Sequence, residues 1–216
     1  MRFSFACDVI EVNTPSRVVL LDRVAQHMAE GQGFALATIN LDHLVKLATS
    51  DRFRAAYKAQ DLIVADGNPI VWLSQLAGRP VELVPGSDLV LPLARLAAAQ
   101  GVSVAIVGST QDALAAAAIR MQADVPGLKI ATCVAPRFGF DPDGAEADAI
   151  FATLRDSGAG LCFIALGAPK QEILAARGRV LAPHIGFASV GAGVDFLAGN
   201  QTRAPEWVRK LALEWL

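Results

Sequence analysis

"LCFIALGAPKQE", residues 161–172, changes character at its midpoint: an unbroken apolar run stops at Gly167 and is followed by Pro169, Lys170, Gln171 and Glu172. An apolar run of that length, with no polar break, suits a strand covered on both faces, as in a parallel sheet. Proline cannot continue the ladder, so Pro169 ends the strand, and a helix is expected to begin near Gln171 with its positive end at the strand mouth. The stretch therefore reads as strand, turn and helix. The runs "FALATI", "DLIVAD", "VSVAIVG", "LKIATCV" and "IGFASVG" repeat the strand half of this pattern. They alternate with Ala- and Leu-rich stretches of helical length, such as "SDLVLPLARLAAAQG" and "TQDALAAAAIRMQADVPG". Ser109 or Thr110 is placed to cap the second of these helices, and Ser87 or Asp88 the first. The predicted fold class is α/β: a single Rossmann-like domain with a mostly parallel sheet and helices on both faces.

Composition bounds the function. The 216 residues are 53% apolar and carry a formal net charge of −2; with a mean hydropathy of +0.41 and a pI near 5.9, the chain is globular and lacks the broad cationic surface of a nucleic-acid binder. No nucleic-acid partner is expected. Cys7, Cys133 and Cys162 stand far apart and form no Cys-x-x-Cys pair, so they read as small buried fillers and not as a zinc site or disulfide framework. The N-terminal "MRFSFACDVIEVN" has polar residues where a signal peptide needs an apolar core, and no stretch reaches the roughly 18 apolar residues of a spanning helix. The expected compartment is a reducing cytoplasm.

In doubly wound sheets ligands collect at the carboxyl ends of the strands. Those ends here carry "TIN" (Thr38, Asn40), "ADGNP" (Asp66, Gly67, Asn68), "GST" (Gly108 to Thr110), "GAPKQE" (Gly167 to Glu172) and "GAGVDFLAG" (Gly191, Gly193, Asp195). Each cluster also has a purely structural reading. Asp-Gly is an ordinary turn dipeptide, and Asp66 could cap the helix "NPIVWLSQLAG". Thr38 could be only a strand residue, Asn40 a helix cap, and Gly191-x-Gly193 a matter of backbone economy. His43 reads as a solvated residue in a first helical turn. "FDPDG" holds an Asp-x-Asp, Asp141 and Asp143, that reads as a turn and cap before "AEADAIFATLRDSG" more readily than as a metal site.

Two nucleotide motifs fail. The dinucleotide fingerprint G-x-G-x-x-G finds Phe196 where "GAGVDFLAG" needs its third glycine, and no Walker-type G-x-x-x-x-G-K-[ST] exists. A nucleotide-dependent oxidoreductase and an inert interaction module remain as readings of other classes.

Taken together, "TINLDHLVKLATSDRFRAAYKAQDLIVADGNPIVWLSQLAG", "LGAPKQE" and "VGAGVDFLAGNQTRAPEWVRKLALEWL" resemble the WecG/TagA/CpsF family of glycosyltransferases, in order and over about residues 8 to 216. The resemblance implies inverting transfer of a hexose or N-acetylhexosamine, often N-acetylmannosamine, from a UDP-sugar to a polyprenyl-diphosphate-linked sugar in the synthesis of bacterial surface polysaccharide or teichoic acid. It implies Asp66 as the catalytic base, with Thr38 and Asn40 positioning sugar hydroxyls. It further implies substrate contacts from Gly67, Asn68, Gly86, Asp88, Gly108, Gly167, Lys170, Gln171, Gly191, Gly193, Asp195 and Arg203. Lys170 and Gln171 would meet the UDP or sugar, Gly191 and Gly193 would let backbone N–H groups approach it, and Asp195 would meet uridine or ribose hydroxyls. Lys170, backbone amides and Arg203 would serve the diphosphate, so no cofactor beyond the UDP-sugar, and no metal, is expected. Peripheral contact with the inner face of the cell membrane follows from the lipid-linked acceptor, and a homo-oligomer is left open.

One departure stands out. Many members of the family read Arg-Val-Thr-Gly where this chain has "LVPG", residues 83–86. Leu83 removes a guanidinium and Pro85 a hydroxyl, which brings in an exopolysaccharide glucosyltransferase of the same family as an alternative. At the C-terminus, Trp207, Leu211 and Trp215 recur at i, i+4 and i+8, opposite Arg209 and Lys210, as in an amphipathic helix. Members of the family commonly continue past "EWL", so residues 1–216 are expected to be one catalytic domain lacking a C-terminal tail, with membrane contact supplied by that tail or by a neighbouring subunit.

Overall fold

The computed structural model describes residues 1–5 and 7–199; Arg203 and the expected C-terminal helix lie outside them. A six-stranded parallel sheet, in the order β4-β3-β8-β7-β5-β6, forms the centre. Its strands are β3 (Ala35–Ile39), β4 (Leu62–Ala65), β5 (Val104–Gly108), β6 (Ile130–Val134), β7 (Leu161–Ala165) and β8 (Gly186–Ser189). All six apolar runs singled out in the sequence are these strands. β3, β4, β5, β7 and β8 are buried at every residue, as continuous apolar runs require, whereas β6 is a partly exposed edge.

Alternate side chains feed opposite layers. In β7, Leu161, Phe163 and Ala165 pack with α5 (Gly86–Ala99) and α6 (Gln111–Asp124). Cys162 and Ile164 pack with α7 (Ala145–Asp156) and α8 (Lys170–Leu181). A third apolar cluster lies under α3 (Asp51–Lys58) and takes in Ala37, Ile39, Phe53 and Tyr57. Helices thus cover both faces. Gly108 shows how tightly the strands end: a Cβ there would lie 2.2 Å from the Ala165 carbonyl oxygen, and its φ of +131° excludes most other residues.

An antiparallel hairpin, β1 (Arg2–Phe5) with β2 (Asp8–Glu11), precedes the sheet and was not anticipated from the sequence. It exposes Cys7, so the buried-filler expectation holds for Cys162, which is buried, and fails for Cys7. Thr110 caps α6, its Oγ1 accepting from the Ala113 N–H at 3.3 Å. Neither Ser87 nor Asp88 caps α5. That helix already starts at Gly86, behind Pro85, whose φ of −64° suits a helix entry and whose side chain offers no cap. The turn half of the "FDPDG" reading holds, since the Asp143 N–H donates to Asp141 Oδ1 at 3.1 Å and Arg52 bonds to both carboxylates, but the cap half does not, because α7 starts behind Gly144 with no side-chain cap. No cluster of three or more potential metal ligands occurs among the described residues, and no helix among them is long and apolar enough to cross a membrane.

Candidate active site

The chain steps outward from β3 to β4 and then crosses to β5, leaving β3 beside β8. Loops leaving β3, β4, β7 and β8 surround a cleft of about 420 Å³ at their carboxyl ends. Such a switch of strand order is where open α/β sheets hold ligands. Thr38, Asn40, Asp66, Gly167, Gln171 and Gly191 all line it, together with Asp42, His43 and Lys46 from α2 (Leu41–Thr49).

Asp66 follows β4 directly. Its N–H donates to the Ile39 carbonyl at 2.8 Å, and its Oδ2 accepts from the Gly86 N–H at 3.3 Å. The cap reading fails at this point: α4 (Asn68–Leu76) starts after Gly67 without a side-chain cap, and the Asp66 carboxylate instead faces the first residue of α5. Thr38 is buried at 4% exposure, with its methyl against Gly86. Asn40 does cap its helix, accepting from the His43 N–H at 3.0 Å. Asn40→Ala should therefore destabilise the protein by about 1 kcal/mol, measured by urea denaturation.

His43 corrects an expectation. It is buried, with Nδ1 2.8 Å from the Thr38 carbonyl oxygen and 2.7 Å from the Tyr57 hydroxyl. Burial pushes the imidazole down to about 4, so it is neutral at pH 7. Its neighbour across 14 residues, Tyr57, is what a scan of adjacent positions misses.

Behind the cleft, Gln171 holds two strand-end loops together. Its Oε1 accepts from the Gly191 N–H at 3.1 Å, and its Nε2 donates to Glu172 Oε1 at 2.8 Å. Glu172 is fully buried, and among the described residues its Oε2 has no hydrogen-bond partner. Burial pushes this carboxyl up to about 7.

The glycines act differently from expectation. The Gly191 N–H is taken by Gln171 and the Gly193 N–H by the Val190 carbonyl at 3.0 Å. Gly193 is small because a Cβ would meet Val90 at 2.9 Å and Ser87 Cα at 3.0 Å, so it serves the packing of α5 against α9 (Gly193–Leu197). Asp88 and Gly193 line an adjoining hollow of about 690 Å³, with Arg17 and Arg95, that shares Ser87 and Phe196 with the cleft. Gly67, Asn68, Gly86, Gly108, Lys170 and Asp195 are not among the residues that line either space. Asp195 accepts a hydrogen bond from the Ser109 hydroxyl, across 86 positions of sequence. Lys46 was missed, although Asn40, His43 and Lys46 follow one another at helical spacing from a strand end.

These features define the class: a doubly wound α/β domain with a carboxylate, a threonine and an amide gathered in a strand-end cleft. The chain belongs to the WecG/TagA/CpsF family of glycosyltransferases, whose profile matches residues 7–216. It is similar to an N-acetylglucosaminyldiphosphoundecaprenol N-acetyl-beta-D-mannosaminyltransferase of Bacillus spizizenii, with 29% identity over 192 residues that cover 88% of this chain and 72% of the relative.

Proposed function

We propose that this protein transfers a hexose or N-acetylhexosamine of the N-acetylmannosamine type from a UDP-sugar to a polyprenyl-diphosphate-linked sugar, with inversion at the anomeric carbon. The observation that carries the reading is the convergence of Asp66, Thr38, Asn40 and Gln171 on one cleft. Asp66 takes the proton of the acceptor hydroxyl as its oxygen bonds to the anomeric carbon. The bond from that carbon to the diphosphate breaks, and UDP leaves with the electron pair. Thr38 and Asn40 hold sugar hydroxyls, and the Gly86 N–H fixes the carboxylate. The setting is surface-polymer synthesis, with the enzyme peripheral to the inner face of the cell membrane, where a lipid-linked acceptor resides. The relative's name, with its diphosphoundecaprenol-linked acceptor, supports this reading.

The test is to incubate the protein with a panel of UDP-sugars and a short-chain lipid-diphosphate sugar, and to identify the product by mass. A disaccharide product is expected; no transfer from any UDP-sugar overturns the reading. The diphosphate is handled by protein groups, so initial rates should be the same with and without EDTA. Loss of activity in EDTA with recovery on adding Mn²⁺ would contradict that.

A further inference from the structure

The active-site cation was expected at Lys170, yet that residue is not among those lining the cleft, and Lys46 is. Among the described lining residues Lys46 is the one cation, and it faces a site that also holds the carboxylates of Asp42 and Asp66. Its ammonium lies 2.5 Å from Asp42 Oδ2 and 3.3 Å from the Ala168 carbonyl. The second contact spans 122 positions and pins the side chain to the loop that leads into α8. Two of the three ammonium donors are thereby used, leaving one for a ligand. Leu83 stands where the resemblance implies an arginine and supplies no charge, so among the described lining residues the positive charge is that of Lys46.

We infer that Lys46 receives the diphosphate of a bound substrate and offsets the charge that develops on it during transfer. This inference rests on the glycosyl-transfer reading above. A diphosphate brings two to three negative charges into a cleft already holding two carboxylates, so a cation in reach is an electrostatic requirement. Lys46 meets it from a position that the Ala168 carbonyl helps to hold. Asp42 is a competitor: it is mostly exposed, and it is the group a diphosphate oxygen replaces.

Two diphosphates could be the ligand, that of the UDP-sugar donor and that of the lipid-linked acceptor, and the experiment separates them. UDP and uridine are titrated into the full chain by calorimetry, and the KM for the acceptor is measured at saturating donor. The proteins are the wild type, Lys46→Met, Lys46→Arg, Asp42→Asn and Lys170→Met. Lys46→Met keeps the stem and removes the charge, so UDP affinity should fall about 10- to 100-fold with uridine affinity unchanged. Lys46→Arg should recover most of it, Lys170→Met should bind as wild type, and Asp42→Asn should tighten UDP a few-fold. If UDP binding is unaffected and the acceptor KM rises by a similar factor, the diphosphate is the acceptor's. Unchanged values for both substrates, in a protein that transfers sugar normally, overturn the inference alone. A parallel loss of uridine binding also overturns it, because the charge would then not be the cause. A wild-type protein that neither binds UDP nor transfers sugar removes the functional reading, and this inference with it.

Discussion

Asp66→Asn should lower turnover by about 10²-fold or more while the protein stays folded and retains its affinity for UDP. An amide cannot take a proton from the acceptor hydroxyl, and loss of a positioned general base costs on that scale. The same substitution preserves the structural contact. Asparagine keeps a carbonyl oxygen where Asp66 Oδ2 accepts from the Gly86 N–H at 3.3 Å, so the start of α5 remains anchored. The backbone bond from the residue 66 N–H to Ile39 is untouched, because it does not involve the side chain. A purely structural Asp66 would give the opposite pattern: a loss of up to about 1 kcal/mol in stability, with turnover intact. Single-turnover transfer rates, UDP calorimetry and urea denaturation on one preparation distinguish the two. A rate constant equal to wild type would remove Asp66 from the chemistry.

Five of the six strands were legible because each is a largely apolar run bounded by glycine or a polar turn, and burial on both faces needs no information from elsewhere in the chain; β6, a partly exposed edge, was legible from its β-rich run alone. The hairpin was not, since Arg2–Phe5 and Asp8–Glu11 are short and mix charges with apolar residues, and each is only partly buried. In the cleft, Thr38, Asn40, Asp66, Gly167, Gln171 and Gly191 were legible for one reason: strand ends converge in an open α/β sheet. What the sequence hides is the direction in which a side chain points. Lys170 opens α8 beside the cleft and is not among its lining residues, while Lys46, well inside α2, is one of them. Partnerships between distant positions, such as Ser109 with Asp195 or His43 with Tyr57, are likewise set by the fold and leave no local pattern.

Glu172→Gln should make the protein more stable than wild type at pH 8, by about 2.5 kcal/mol relative to the difference between them at pH 5. Glu172 is fully buried, and burial raises its carboxyl from 4.5 to about 7, so the folded state holds a proton that the unfolded state has lost between those values. Stability from a raised acid is fully present below pH 4.5 and is lost as pH rises through 7. A rise of that size corresponds to about 3 kcal/mol. Glutamine is always neutral, and its carbonyl can still accept from Gln171 Nε2, so the variant escapes the loss. His43 works in the other direction. Its imidazole is lowered from 6.5 to about 4, so it supplies stability above pH 6.5 that falls away as pH drops through 4. In the wild type the two trends oppose each other between pH 4.5 and 6.5, and removing Glu172 exposes the histidine's alone. Urea denaturation of both proteins from pH 4 to 8 should show the variant gaining stability across the range in which the wild type stays nearly level. A difference between the two that does not change with pH would mean that Glu172 titrates alike in the folded and unfolded chain, and that its burial beside Gln171 leaves its ionisation unaltered.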